Sequence, residues 1–151
     1  MAAINKIIFV SETDTSRGPL AAAITGRRLM ETDITVESRG MVVLFPEPMN
    51  PKTVAVAASR GIVLKDYVST QLEEEDFGTN VLVLVLDEAY KKKVYEEYKE
   101  AINVYTLKEF TGGAGNISDP YGGDLPEYGE LYNALEALVD KLIYRIMNME
   151  E

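Results

Sequence analysis

Cysteine and histidine are both absent from this 151-residue chain. Without cysteine there is no disulfide and no thiolate nucleophile, and without either residue no Cys/His zinc site forms. Without histidine no Ser-His-Asp triad can be assembled. Basic residues are also scarce: 15 Lys and Arg stand against 25 Asp and Glu, a formal net charge of −10. That balance argues against nucleic acid and against an anionic membrane surface as partners. A small anionic ligand has to be held by local donors against an unfavourable overall field. Carboxylates, hydroxyls, Lys, Arg, Tyr and backbone amides remain available for chemistry, and no cofactor or metal site is expected. Met1 to Lys6 carries one basic residue, and the apolar run that follows is only strand-sized. The expectation is therefore a cytoplasmic protein without signal peptide or membrane span.

The length suits one domain over residues 1–151. Lys6–Val10 and Val81–Leu86 are short, nearly continuous apolar runs rich in β-branched residues, as in strands buried on both faces of a parallel sheet. Thr32–Ser38 contains a second strand and Asn103–Thr106 a fourth. Helices are expected from Pro19 to Met30, from Asn50 as N-cap and Pro51 as N1 through Ser59, from Asp87 as cap to about Lys99, and from Leu125 to Met147. Gly61 reads as a C-cap and Ile62–Leu64 as an extended piece. In the last helix Leu131, Leu135, Leu138, Leu142 and Ile146 form a core-facing stripe. About four strands alternating with helices make an α/β parallel sheet covered on both faces, with ligands bound beyond the carboxyl ends of the strands.

The first such end is Ser11-Glu12-Thr13-Asp14-Thr15-Ser16-Arg17-Gly18-Pro19, a polar turn from a buried strand into a helix. Amides at such a turn can converge on an anion, and the helix N-terminus adds about 0.3–1 kcal/mol. Arg17 can close a bidentate fork on a phosphate. A plain helix cap with a solvated arginine is the competing reading.

These residues resemble the low-molecular-weight protein tyrosine phosphatases, which place a C-x5-R-[ST]-P loop after their first strand. Asp119-Pro120-Tyr121 resembles the family's second signature, an Asp-Pro pair before the last helix. Ser38-Arg39-Gly40 resembles its S-A-G, Pro48-Met49-Asn50-Pro51 its P-M-D-P, and Val81–Asp87 its strand ending in M-D. The likeness covers nearly the whole chain. It implies a three-layer sandwich on a four-stranded parallel sheet of order 2-1-3-4. It also implies a metal-free phosphate-monoester hydrolase acting through a phosphocysteine. Mapped here, Ser11 stands at the nucleophile's position, residues Ser11 to Arg17 form the phosphate-binding loop, and Asp119 takes the general acid's place. Phosphorylated protein, a small phosphate ester, or inorganic phosphate or sulfate would occupy the loop, with Phe45 and Tyr121 as pocket walls. For Phe45 a core plug is the alternative.

Ser11 in place of cysteine implies that turnover is absent or very slow, because a serine hydroxyl needs a base. Thr13, Asp14, Ser16 and Gly18 also depart from the usual loop. Several departures together, in a chain without cysteine, favour natural divergence over a single engineered exchange. Thr15 resembles the branch that hydrolyses phosphoarginine. A non-catalytic phosphoprotein-binding module and, further off, a flavodoxin-like FMN carrier are the alternatives. Tyr90, Tyr95 and Tyr98 read as amphipathic surface cover, and Glu73–Asp76 and Lys91–Lys93 as solvated runs.

Overall fold

The computed structural model describes residues 3–149; the outermost residues of the domain expected over 1–151 lie outside it. Four strands, β1 (Lys6–Ser11), β2 (Thr35–Gly40), β3 (Val81–Val85) and β4 (Val104–Thr106), form one parallel sheet in the order β2-β1-β3-β4. The helices are α1 (Arg17–Arg28), α2 (Pro51–Ser59), α3 (Glu88–Glu97), α4 (Leu107–Phe110) and α5 (Leu125–Met147). Among the described residues, no helix is long and apolar enough to cross a membrane.

The apolar run of β1 divides by strand period between two cores. Ile7 and Phe9 pack with α1, α2, α4 and α5 on one face. Ile8 and Val10 pack with Val94 of α3, Leu72 and Val104 on the other. Leu82 and Leu84 against Val83 and Val85 repeat the division in β3. This two-sided burial is why both runs lack polar alternation.

Asn50 caps α2 as its sequence suggests, its Oδ1 accepting from the Lys52 amide at 2.8 Å. Gly61 follows the C-cap Arg60 in the left-handed region, φ +84°. Four details differ from expectation. Helix α1 begins at Arg17, so Pro19 is its third residue, still within the first turn, where its missing N–H is unneeded. The short α4 interrupts what reads as a strand-to-loop passage, closed by a Thr106–Glu109 capping box. The stripe of α5 runs through Val139, while Leu138 is only half-buried. Ile62–Leu64 joins no strand.

Candidate active site

The loop between β1 and α1 is held mainly by its carbonyls. Ser11 O accepts from the Met41 amide, Glu12 O from Val42 and Thr15 O from Asn50, all at 2.8–2.9 Å. Ser16 and Thr53 share a hydroxyl hydrogen bond at 2.7 Å. Among the described residues, no backbone amide from Glu12 to Ser16 donates to a protein acceptor. Five successive donors are thus left free while the chain that carries them is tied down, the arrangement an anion nest requires.

A cavity of about 670 Å³ opens over this loop. Its wall includes Ser11, Glu12, Thr13, Thr15, Ser16 and Arg17, together with Phe45, Glu47, Asp119, Tyr121 and Tyr128. Of the residues expected to form the loop from Ser11 to Arg17, the acid's place and the pocket wall, Asp14 alone is not part of the lining. Phe45 and Tyr121 are exposed at the mouth, which decides against Phe45 as a core plug.

Arg17 is buried, not solvated. Its Nη1 donates to both carboxylate oxygens of Asp87, at 3.2 and 3.1 Å, and to the Ile117 carbonyl at 2.8 Å. Nη2 reaches the Tyr90 hydroxyl at 3.4 Å. Burial by itself would lower the guanidinium's pKa; Asp87, Tyr90 and Asp119 outweigh it and hold the group above its ordinary value. Asp87 therefore does not cap α3 with its side chain, and Tyr90 is a partner of the arginine instead of surface cover. Tyr98 likewise turns inward, donating to Leu72 O at 2.9 Å and packing on Phe77.

Asp14 adopts a left-handed backbone, φ +59°, a region that Asp and Asn tolerate better than most side chains. Its carboxyl is fully buried, and Oδ2 accepts from the Thr70 amide at 2.9 Å. Tyr67 donates to the Asp14 carbonyl at 3.0 Å and shares a 2.8 Å hydrogen bond with Ser38. Burial pushes the Asp14 carboxyl above the usual carboxylate range, against the pull of Tyr67, Ser38, the Thr70 amide and Arg39. Burial, then the Asp14 carboxyl, pushes the Tyr67 phenol up. The side chain thus braces the loop from behind. Gly40 permits this approach, since a Cβ there would lie 3.0 Å from the Thr13 carbonyl carbon and 3.1 Å from Asp14 Cβ. Asp76, at the end of the acidic run, is also buried and pairs with Arg39 at 3.2 Å.

Gly18 faces Ser11. A Cβ at position 18 would come 2.8 Å from Ser11 Oγ, so the glycine makes room for that hydroxyl. The Ser11 hydroxyl is buried and has no hydrogen-bond partner among the described residues. Asp119 approaches from the loop before α5. One oxygen accepts from the Tyr121 amide at 3.0 Å, a local turn; the other lies 4.0 Å from Arg17 Nε. Both sequence readings of Asp119, turn residue and site carboxylate, describe parts of its geometry. Asp87, Tyr90, Tyr67 and Glu47 escape sequence reading of the site. For Asp87 the signal was its place at the carboxyl end of β3; the others carry none that one sequence shows.

The family model described as low molecular weight phosphotyrosine protein phosphatase matches residues 6–151. The chain is 28% identical over 137 residues to the low molecular weight protein-tyrosine-phosphatase PtpB of Staphylococcus haemolyticus, covering 91% of this chain and 96% of that protein. It is 30% identical over 141 residues to the protein-arginine-phosphatase of Bacillus subtilis, covering 90% and 93%. Among solved structures, a Cys-to-Ser mutant of the YwlE arginine phosphatase with a phosphorylated active site serine superposes with a TM-score of 0.88. That pair shares 29% identity, over 95% of this chain and 96% of the other. A four-stranded parallel sheet of order 2-1-3-4, a family match from residue 6 onward and relatives matched over nearly their full length agree: the chain belongs to the low molecular weight phosphotyrosine protein phosphatase family.

Proposed function

We propose that this chain binds phosphorylated protein or a small phosphate ester in the loop from Ser11 to Arg17, in the cytoplasm, with turnover absent or very slow. The observation that carries the reading is the row of unpaired amides from Glu12 to Ser16, tied down by its carbonyls and closed by a buried arginine. Such a cradle holds a tetrahedral dianion through main-chain donors and one guanidinium. Ser11 stands where a nucleophile would attack phosphorus, and Asp119 where a proton would be handed to the leaving oxygen. The neutral Ser11 hydroxyl has no hydrogen-bonded base to activate it. Family membership leaves the flavodoxin-like alternative without support.

A phosphoarginine substrate has specific support as a second reading: Thr15 lines the cavity, and the Bacillus subtilis relative is named a protein-arginine-phosphatase.

Phosphate, sulfate or vanadate should bind the parent protein and raise its Tm, and Arg17→Ala should abolish that shift. Ser11→Cys should give metal-independent hydrolysis of p-nitrophenyl phosphate, lowered about 10²–10⁴-fold when Asp119→Ala is added, the usual worth of a general acid. Intact-mass analysis of the parent after incubation with the ester shows whether Ser11 takes up a phosphoryl group in a single transfer. A parent blind to phosphate, with an inert Ser11→Cys variant, would remove the assignment.

A further inference from the structure

The charges around the cavity do not favour a bare phosphate. Among the described residues, Arg17 is the only cation in the lining, and Asp87 at 3.1 Å and Asp119 at 4.0 Å already face it. Glu12, Glu47 and Asp119 are the lining carboxylates. Among the described residues, neither Glu12 nor Glu47 pairs with a Lys or Arg. Lys52, next to the lining residue Pro51, is engaged by the Gly123 carbonyl and lies over the Tyr128 ring. Both glutamates stand on anchored backbone. Glu47 exchanges two hydrogen bonds with Ser69, its carbonyl accepting at 2.8 Å and its amide donating to the hydroxyl at 2.9 Å. The Glu12 carbonyl accepts from Val42. Their exposed side chains line the same cavity as the unpartnered, buried Ser11 hydroxyl.

We propose that Glu12 and Glu47 select phosphorylated substrates that carry a positive charge close to the phosphoryl group. The inference rests on the phosphate site proposed above and names its substrate class. Two sources supply that chemistry: the guanidinium of a phosphoarginine, or lysine and arginine residues flanking a phosphotyrosine. Either brings a cation into the cavity that both glutamates line, where it offsets the repulsion its own phosphate meets.

The test uses the parent protein and peptides of one length. These are phosphotyrosine with lysine, neutral or glutamate flanks, phosphoarginine with neutral flanks, and an unphosphorylated lysine-flanked control. At low salt the lysine-flanked phosphopeptide should bind about tenfold or more tighter than the glutamate-flanked one, the gap narrowing as salt rises. Glu12→Gln with Glu47→Gln should shrink that gap severalfold and tighten inorganic phosphate, and Glu47→Lys should invert the preference. If neutral-flanked phosphoarginine outbinds neutral-flanked phosphotyrosine, and the double variant erases the difference, the cation belongs to the phosphorylated residue itself. If only the flanks matter, it belongs to the neighbours. Equal binding of lysine- and glutamate-flanked phosphopeptides, with inorganic phosphate still bound, overturns this inference and leaves the phosphate site standing. Equal binding of the unphosphorylated control overturns it too. Failure of inorganic phosphate and every phosphopeptide to bind overturns both.

Discussion

The two loops that meet at the cavity are built to opposite standards. The loop from Ser11 to Arg17 is tied at its carbonyls, braced by the buried Asp14 carboxyl and closed by an arginine with four oxygens of three partners in reach. The segment that brings Asp119 contains Gly112, Gly115 and Gly122 at positive φ, and carries a Tyr121 that is 85% exposed. Among the described residues, Asp119 itself reaches only the nearby Tyr121 amide and, at 4.0 Å, Arg17. The difference separates two jobs. An anion is captured by donors that must already be in place, since donors preorganised before binding cost no reorganisation. A carboxylate that serves the leaving group can sit on a looser arm.

The comparison breaks if damage to the tight loop leaves anion binding intact. Gly40→Ala should do most harm, because its Cβ meets Val43 at 2.6 Å and loop backbone at 3.0 Å. A loss of about 3 kcal/mol by urea unfolding is expected, the upper end for an overpacked site, with the phosphate-induced Tm shift gone. Asp87→Asn removes the main counter-charge of a buried arginine. It should cost about 2 kcal/mol, less than the roughly 3–5 kcal/mol of a fully buried pair because Asp87 keeps 20% of its side chain in water. Asp14→Asn sharpens the comparison from the other side. The Asp14 carboxyl has a folded-state pKa above its unfolded value, so its contribution is fully present below about pH 4 and lost as pH rises through the raised value. The asparagine variant should therefore gain Tm over the parent progressively as pH rises from about 4 through the raised value, with phosphate bound at least as tightly. Asp119→Ala should be the mildest, within about 0.5 kcal/mol in stability and about threefold in phosphate affinity. A large loss of binding there would erase the distinction between the loops.

The sheet and the polar turn after β1 were legible because their signals are local. The β-branched runs of β1 and β3, Asn50-Pro51 and the α5 stripe each declare an element within a few residues. The spacing from Ser11 to Arg17 and on to Pro19, with Asp119-Pro120, carried the family. What sequence hid is tertiary. Asp87 looks like a cap until Arg17, 70 positions away, takes its carboxylate. Tyr90 sits among lysines on a charged helix, and only the fold turns it toward Arg17. Nothing near Tyr67 announces that it will brace Asp14 from 53 residues away. The four-residue α4 is too short for any period to reveal.

The amides of Met41 and Val42 donate to the carbonyls of Ser11 and Glu12, so the chain leaving β2 is fastened to the nest's outer edge. Those two protons cannot exchange with solvent until that edge lifts. Their deuterium uptake is thus a built-in gauge of how often the empty bowl comes apart, readable without ligand, turnover or any substitution.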